Sequence, residues 1–531
     1  MVNETTFLSP GGLSNEALSS IVIDSFGLES EPRKRSSIGI LDTFDWRLHR
    51  SGFWLVRTPD GLELRDIQKN EIVESLATGS TPEFAWDIPN SPLKERISKA
   101  LEVRALIPLV HARVESRRFR ILDDEQKTVV RLELRTIRVG SGRGKHNRIA
   151  LASIHPVRGY PSQARRLAGL LADAGQTRGS LGDVYLFLLA AEGREPGDYN
   201  PKPPYSLDPE MHSDEAARII YRHLLYVIRA NEAGIIADID TEFLHDYRVS
   251  VRRTRSALSQ VKGVFPSRVV GRFKADFKYL GTLTNPLRDL DVYLLKEAAY
   301  RAMLPGNLRE DIDPLFDLLK RKRIQAHRAV VRGMGTKKYA KIFDSWAEFL
   351  GPPEPERSGK DAADDVQYEM ELALDPDAPN AWRPVIKLAR ARIRKRYQLV
   401  VRTGEEIKDT GTDEALHGLR IECKKLRYLL EFFHSLFPAE KIDFLIKQLK
   451  RLQDNLGDFN DLSVQQGYLL GISEELPQNK QSVRTLLAVG ALVGELEARQ
   501  REVKEAFADT FAEFASPDNQ ALFNELFGKQ S

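Results

Sequence analysis

The chain has 531 residues, 42% of them hydrophobic and 29% charged, which is enough apolar material for real cores but too much length for one domain. Its 79 Lys and Arg are balanced by 76 Asp and Glu, so the net charge of +3 excludes overall charge as the source of any polyanion binding. A single cysteine, Cys423, excludes an intramolecular disulfide, and neither a signal-peptide pattern nor an apolar run of membrane-spanning length is present, so we expect a cytoplasmic protein.

Strand and turn signals dominate the amino-terminal part, and we expect its domain over residues 1–192. Residues 128–139, TVVRLELRTIRV, alternate apolar and polar side chains as a half-buried strand does. The glycine-rich segment Gly140–Lys145 follows and the alternation then resumes, which predicts a β-hairpin. The hairpin segment lacks the spacing of a phosphate-binding P-loop. Residues 162–175 predict an amphipathic helix that ends at a glycine.

Two breaks rich in proline divide the rest of the chain. Residues 193–213 have no periodicity and predict a linker. Beyond them apolar residues recur every three to four positions, as in helices. A second break at residues 351–381, rich in proline and acidic residues, separates a first helical half at 214–350 from a second at 382–531. The sequence therefore predicts an α+β multidomain protein.

The two helical halves contain the same segment. Leu244–Pro266 aligns without gaps with Leu416–Pro438, at an offset of 416 − 244 = 172, and seven positions are identical. Further on, Leu287–Asp291 resembles Leu456–Asn460. We therefore expect two related helical bundles around a pseudo-twofold axis.

Each copy of the repeated segment carries a basic stripe beside its apolar face. At 100° per residue, the basic side chains of each copy lie within an arc of about 80°. The stripes consist of His245, Arg248, Arg252 and Arg255 in the first copy and His417, Arg420, Lys424 and Arg427 in the second. A solvated helix face is the ordinary interpretation of such charges. Because the stripe borders the core and occurs twice, we instead predict a shared cleft in which a polyanion offsets the repulsion.

Histidines and acids near the stripes have structural alternatives. The two histidines can be caps or packing anchors, and no histidine pair at metal-ligand spacing is present, so no metal site is predicted. Acidic residues of the two shorter motifs are candidates to orient the basic side chains, or else residues at helix starts. These candidates are Asp289, Asp291, Asp458 and Asp461.

The repeated motif resembles the CHAD domain, the conserved histidine α-helical domain. The resemblance rests on LHxxRxxxRRxR with LRDLDV and on LHGLRIECKKLRYLLEFF with LGDFND, and it covers about residues 214–515. It implies two pseudo-symmetric helical bundles that bind inorganic polyphosphate in a basic cleft. The eight stripe residues are those that match the family's motif.

The segment Ile40–Arg57 resembles the CYTH family, which implies an antiparallel β tunnel that hydrolyses triphosphates with Mg²⁺ or Mn²⁺. Two departures argue against that activity. The family's opening Glu-x-Glu-x-Lys strand has no counterpart in MVNETTFLSP, and Arg148–Val157 carries no acid where acids should alternate. We therefore expect a degenerate, inactive CYTH-like domain that keeps basic residues, among them Arg57, Arg65, Arg113, Arg117, Arg118, Arg120 and Arg135.

Three functions remain open at this point. The leading hypothesis is a non-catalytic protein that binds inorganic polyphosphate, without a cofactor, and is recruited to polyphosphate granules. The second is a metal-dependent triphosphatase, which needs Mg²⁺ or Mn²⁺ and uses the helical domain to recruit its substrate. The third is a nucleic-acid or protein interaction module, which the lack of base-reading or stacking residues in the stripe disfavours.

Overall fold

The structure is a computed structural model whose chain forms two compact units, residues 1–200 and residues 201–531. The second unit starts inside the segment predicted as a linker, and the finer domain boundaries stay predictions. The residues that the structure describes are 5–10, 13–69, 71–140, 148–352, 376–407, 411–476 and 480–528.

The first unit is built on one antiparallel sheet of ten strands, in the order β10-β1-β9-β8-β7-β3-β4-β5-β6, with β2 paired to β7. The strands are β1 (Thr5–Pro10), β2 (Gly27–Ser30), β3 (Lys34–Asp42), β4 (Phe53–Thr58), β5 (Gly61–Asp66), β6 (Ile72–Ala77), β7 (Ile107–Leu122), β8 (Thr128–Val139), β9 (Arg148–Pro156) and β10 (Thr177–Arg178). Strand β8 is the one that the alternation predicts, and its antiparallel pairing with β9 confirms the hairpin. Residues 141–147 of the connecting segment lie outside the described residues.

Helices cover both faces of this sheet. They are α1 (Asn15–Val22), α2 (Arg47–Arg50), α3 (Pro92–Leu101), α4 (Pro161–Asp173) and α5 (Leu181–Ala191), with a 3₁₀ turn at Ala85–Asp87. Helices α1 and α4 bury one face, where Leu132 packs with Leu167. Helix α5 buries the opposite face, where Ile137 packs with Leu188. The CYTH resemblance implies an antiparallel sheet, and the sheet is antiparallel. Its strand order begins at β10 and ends at β6. The CYTH assignment itself stays an interpretation.

The second unit is helical. Its helices are α6 (Ser213–Ile236), α7 (Thr241–Gln260), α8 (Ser267–Leu295), α9 (Glu297–Met303), α10 (Asp313–Met334), α11 (Lys337–Leu350), α12 (Val385–Ile407), α13 (Asp413–Phe432), α14 (Ala439–Ser473), α15 (Lys480–Glu505), α16 (Phe507–Phe514) and α17 (Pro517–Phe527), with 3₁₀ turns at Gly306–Leu308 and His434–Leu436. The predicted α+β multidomain architecture is thus confirmed. None of the described helices combines the length and apolarity needed to cross a membrane.

The repeat in the sequence is a repeat in the structure. Three successive helices of the first half, α6, α7 and α8, correspond to α12, α13 and α14 of the second. Each pair of helices starts 172 residues apart (385 − 213, 413 − 241 and 439 − 267). In both halves the second helix packs between the first and the third. Helices α7 and α13 also pack on each other, so the two repeated segments meet.

Side-chain caps determine where the stripe helices begin. The Asp240 carboxylate accepts hydrogen bonds from two backbone N–H groups at the start of α7, and the Thr412 hydroxyl accepts one at the start of α13. His245 and His417 therefore lie in the second turn, and the alternative that they cap these helices is wrong. The helix-start alternative for Asp289 and Asp458 is wrong as well, because α8 and α14 run through both positions.

Candidate functional site

The two stripe helices are joined by polar contacts next to the stripes. On α7, the Arg252 Nε donates to the Tyr428 hydroxyl of α13 at 2.8 Å. The neighbouring Arg253 donates through Nη2 to the Glu431 carboxylate at 2.6 Å, and Arg427 lies 3.6 Å from the other oxygen of Glu431. These contacts bring basic side chains of both repeats close together.

Arg248 is fixed against the neighbouring helix α8. Its Nη1 lies 3.2 Å from the Gly281 carbonyl oxygen, 3.0 Å from Thr284 Oγ1 and 2.7 Å from Asn285 Oδ1, and it donates toward all three. Such contacts hold the guanidinium in one orientation before any ligand arrives. Preorganisation of this kind reduces the entropy lost on binding.

The surroundings of Arg248 are themselves positively charged. Burial lowers the pKa of Arg248 to about 10. The Asp289 carboxylate opposes this shift, whereas the guanidinium groups of Arg252 and Arg288 add to it. Arg248 stays charged at neutral pH, but it does so in a place where a further negative group would stabilise it.

The second repeat contributes a more strongly perturbed cation. Burial, together with the positive charges of Arg420, Arg252 and Arg427, lowers the pKa of the Lys424 ammonium to about 8, and the Asp461 carboxylate partly opposes this shift. Burial also lowers the pKa of Arg420, with Asp461 opposing the shift and Arg252 adding to it. Because Arg252 belongs to α7, cations from both repeats act on the same ammonium group.

A pocket of about 350 Å³ opens beside these residues, between α7, α8 and α14. Its lining includes His245, Arg248, Arg252, Arg288, Asp289, Lys296 and Asp461. Arg288 and Lys296 lie outside the basic stripes that the sequence predicts. Arg288 lies between the leucine and the first acid of the motif LRDLD, and this position is the signal that could have identified it. Lys296 follows the end of α8, where no local pattern points toward α7.

The remaining stripe residues lie at the margins. The ring of His417 is hydrogen-bonded through Nδ1 to Asn460 Oδ1 on α14. Arg255 is exposed near the backbone of Gly281 on α8, and Arg427 is half-buried beside the ring of Tyr428. The structure thus gathers Arg248, Arg252, Arg420 and Lys424 most closely, with Arg427 at the edge of this group.

The candidate orienting acids are placed differently from one another. Asp289 lies near Arg248, and Asp458 lies near Lys296 and other acids, with its pKa raised mainly by burial. For Asp291 the prediction of a role beside the stripes is wrong. This side chain is 1% exposed, and its Oδ1 accepts a hydrogen bond from Arg323 Nε on α10 at 2.8 Å. That contact braces α8 against α10 away from the stripe.

Of the four candidate acids, Asp461 is hydrogen-bonded to a stripe residue. Its Oδ1 accepts a hydrogen bond from Arg420 Nη2 at 3.1 Å, and its side chain is 55% exposed. The carboxylate therefore lies at the solvent edge of these basic side chains and partly neutralises their charge.

In the sheet unit two glutamates, one on β5 and one on β8, lie beside arginines. Glu63 accepts from Arg65 at 2.6 Å, and Glu133 lies 3.6 Å from Arg118 and 3.5 Å from Arg135. Within the described parts of the chain, no group of three or more His, Cys, Asp or Glu side chains is arranged to hold a metal ion.

Comparison with known proteins connects this geometry with a family. The CHAD domain model matches residues 219–470. Two uncharacterized proteins from two strains of Mycobacterium tuberculosis are each 25% identical over 313 residues, which is 57% of this chain and 53% of each relative. The chain thus spans about half the length of the curated relatives that it matches.

Two solved structures are similar to part of this chain. The crystal structure of the CHAD domain from the plant Ricinus communis has 24% identity and a TM-score of 0.48, and covers 60% of this chain and 96% of its own. PptA from Streptomyces chartreusis has 16% identity and a TM-score of 0.37, with coverages of 57% and 99%. The family match extends from α6 to α14 and includes both stripe helices. Residues 219–470 of this chain are therefore a CHAD domain.

Proposed function

We propose that the helical unit binds inorganic polyphosphate in the cleft between α7, α8, α13 and α14. The observation that carries this proposal is the approach of Arg252 from one repeat to Lys424 and Arg420 of the other, in a half-buried setting that lowers the pKa of the lysine. Grouping cations in this way costs free energy in the free protein. A chain of phosphate groups supplies the missing negative charge along the whole cleft.

The chemistry of the lining favours phosphate over other polyanions. Guanidinium groups can donate two parallel hydrogen bonds to phosphate oxygens, and an ammonium group supplies a compact charge. The two tyrosines of the pocket, Tyr293 and Tyr468, stack on each other with ring centroids 4.2 Å apart. Since their rings already pair, they are poor platforms for stacking nucleic-acid bases.

Charge reversal tests this function directly. We expect Arg248→Glu and Lys424→Glu each to weaken polyphosphate binding by at least tenfold, because each removes charge-assisted hydrogen bonds worth about 1.5–3 kcal/mol and adds repulsion. Lys274→Glu makes the same change at an exposed position of α8 outside the pocket lining and is the matched control. The helical far-ultraviolet circular dichroism should be unchanged in all three variants. Equal affinities for the control and the two cleft variants would contradict the proposal.

We further propose that the protein acts without hydrolysing the polymer and is recruited by it to polyphosphate granules. Support comes from the sheet unit, where Glu63 and Glu133 face arginines rather than forming a carboxylate cluster. Incubation of the full chain with tripolyphosphate and Mg²⁺ or Mn²⁺ should release no phosphate. Sustained release would favour the triphosphatase alternative instead.

A further inference from the structure

Three arginines lie side by side across adjacent strands of the sheet unit. In the observed register, Arg113 of β7 is opposite Arg138 of β8, and Arg138 is opposite Arg148 of β9. Like charges that are directly opposite on neighbouring strands destabilise a sheet. The register of the sheet therefore concentrates positive charge along one line.

A second arginine pair on β8 shows how such a contact is ordinarily neutralised. Arg131 lies opposite Arg120 of β7 in the same register. Arg120, however, forms an ion pair with Glu29. For Arg113 and Arg138, no carboxylate among the described residues forms an ion pair of this kind.

The arginine row borders a pocket of about 260 Å³ on the same face of the sheet. The pocket is lined by Arg33, Arg117, Arg138 and Arg148, by two acids, Glu16 and Glu115, by the hydroxyl residues Ser14, Ser116 and Thr136, and by Leu13, Asn15 and Leu134. Glu115 already accepts a hydrogen bond from Arg33 at 2.9 Å. The Nε of Arg117 is buried and has no hydrogen-bond partner among the described residues.

We propose that this pocket is a second anion site that binds a small phosphate-class oxyanion, such as inorganic phosphate or pyrophosphate. Four guanidinium groups face two carboxylates there, so the pocket carries an excess of positive charge. Guanidinium and hydroxyl groups are the donors that phosphate oxygens accept from. The first turn of α1 also lines the pocket, and the partial positive charge of a helix amino terminus adds to the attraction.

The size of the pocket favours a small inorganic anion over a larger phosphorylated compound. Its volume lies below the range of about 300–1,000 Å³ that is typical for organic ligands. The lining offers several hydrogen-bond donors, whereas its apolar surface is limited to two leucines, Leu13 and Leu134. The site uses residues of the sheet unit alone and does not depend on the helical cleft.

Calorimetric titration of the full chain with pyrophosphate, at constant ionic strength, tests the proposal. We expect Arg138→Gln to weaken the binding event by at least tenfold. Arg131→Gln, which removes the same charge from the opposite face of β8, should leave it unchanged. The polyphosphate affinity of both variants should equal that of the parent, since we propose that polyphosphate binds to the helical unit. This comparison separates failure of the second site from failure of the proposed cleft.

Thermal stability supplies a second readout that a merely structural arginine would not give. Without phosphate, Arg138→Gln should melt at the same temperature as the parent or above it, because a like-charge contact with Arg148 is removed. In phosphate, the parent should gain stability and the variant should not. The proposal is overturned if phosphate stabilises the parent no more than chloride at equal ionic strength. It is equally overturned if Arg138→Gln retains full pyrophosphate affinity.

Discussion

Raising the pH from 7 to 9 should weaken polyphosphate binding through one residue, Lys424. Its pKa in the free protein is lowered to about 8 by burial and by the positive groups of Arg420, Arg252 and Arg427, with Asp461 opposing them. A bound polyanion favours the charged ammonium, so the pKa rises again in the complex. Above about pH 8, binding of polyphosphate must therefore be coupled to the uptake of a proton. The affinity is highest below about pH 8 and declines above it.

The magnitude follows from the shift. For each pH unit above the free-state pKa, affinity falls by up to tenfold, or about 1.36 kcal/mol, so we expect about a tenfold loss between pH 7 and pH 9. Arg248, whose pKa is lowered to about 10, stays charged over most of this window. Titrations at constant ionic strength measure the affinity, and repeating them in buffers of different ionisation enthalpy measures the proton uptake.

Lys424→Arg is the control for this prediction. Arginine keeps its charge throughout the range, so the variant should bind with little dependence on pH and without proton uptake. Any titration of the polyphosphate itself is common to both proteins and cancels in the comparison. The reasoning is refuted if the parent and Lys424→Arg lose affinity in parallel, or if the parent shows no loss at pH 9.

Three further predictions separate effects on polyphosphate binding from effects on stability. Asp291→Asn should lower the free energy of unfolding by about 1.5–3 kcal/mol in urea titrations, since a buried hydrogen bond to a charged arginine is weakened, while polyphosphate affinity stays the same. Asp461→Asn should strengthen polyphosphate binding about fivefold. The substitution removes one negative charge at the edge of the proposed cleft, whose repulsion of the polyanion costs about 1 kcal/mol. Weaker binding by this variant would contradict the position of Asp461 at that edge. Gly234→Ala should destabilise the helical unit by about 1–3 kcal/mol, since a Cβ there would overlap the Phe243 ring, whereas Gly418→Ala, with open space around it, should not.

Local sequence patterns were sufficient for the features that depend on one element. Helical periodicity places Arg252 and Lys424 beside the core face of their helices, and the 172-residue offset predicts the matching starts of α7 and α13. Alternation likewise predicts β8. In each case burial of one face determines the pattern, so the residues on that element carry the signal.

Features that depend on how distant elements pack could not be predicted in this way. Lys296 lines the pocket together with residues of α7 and α14, and the periodicity of α8 alone does not specify this packing. Asp291 lies in the same motif as Asp289, yet it faces α10, whose Arg323 is 32 residues away. The arginine row at Arg138 depends on strand register, which no single strand reveals.

The most direct test of the central claim compares polyphosphate with DNA of matched total charge, titrated into the full chain at two salt concentrations. A cleft built for phosphate chains should bind polyphosphate more tightly at both concentrations, and its affinity should fall steeply with salt. Arg252→Gln should reduce the polyphosphate affinity and lessen this salt dependence, because one cation of the proposed cleft is lost. Equal affinity for the two polymers, or an affinity for polyphosphate that does not change with salt, would contradict the account.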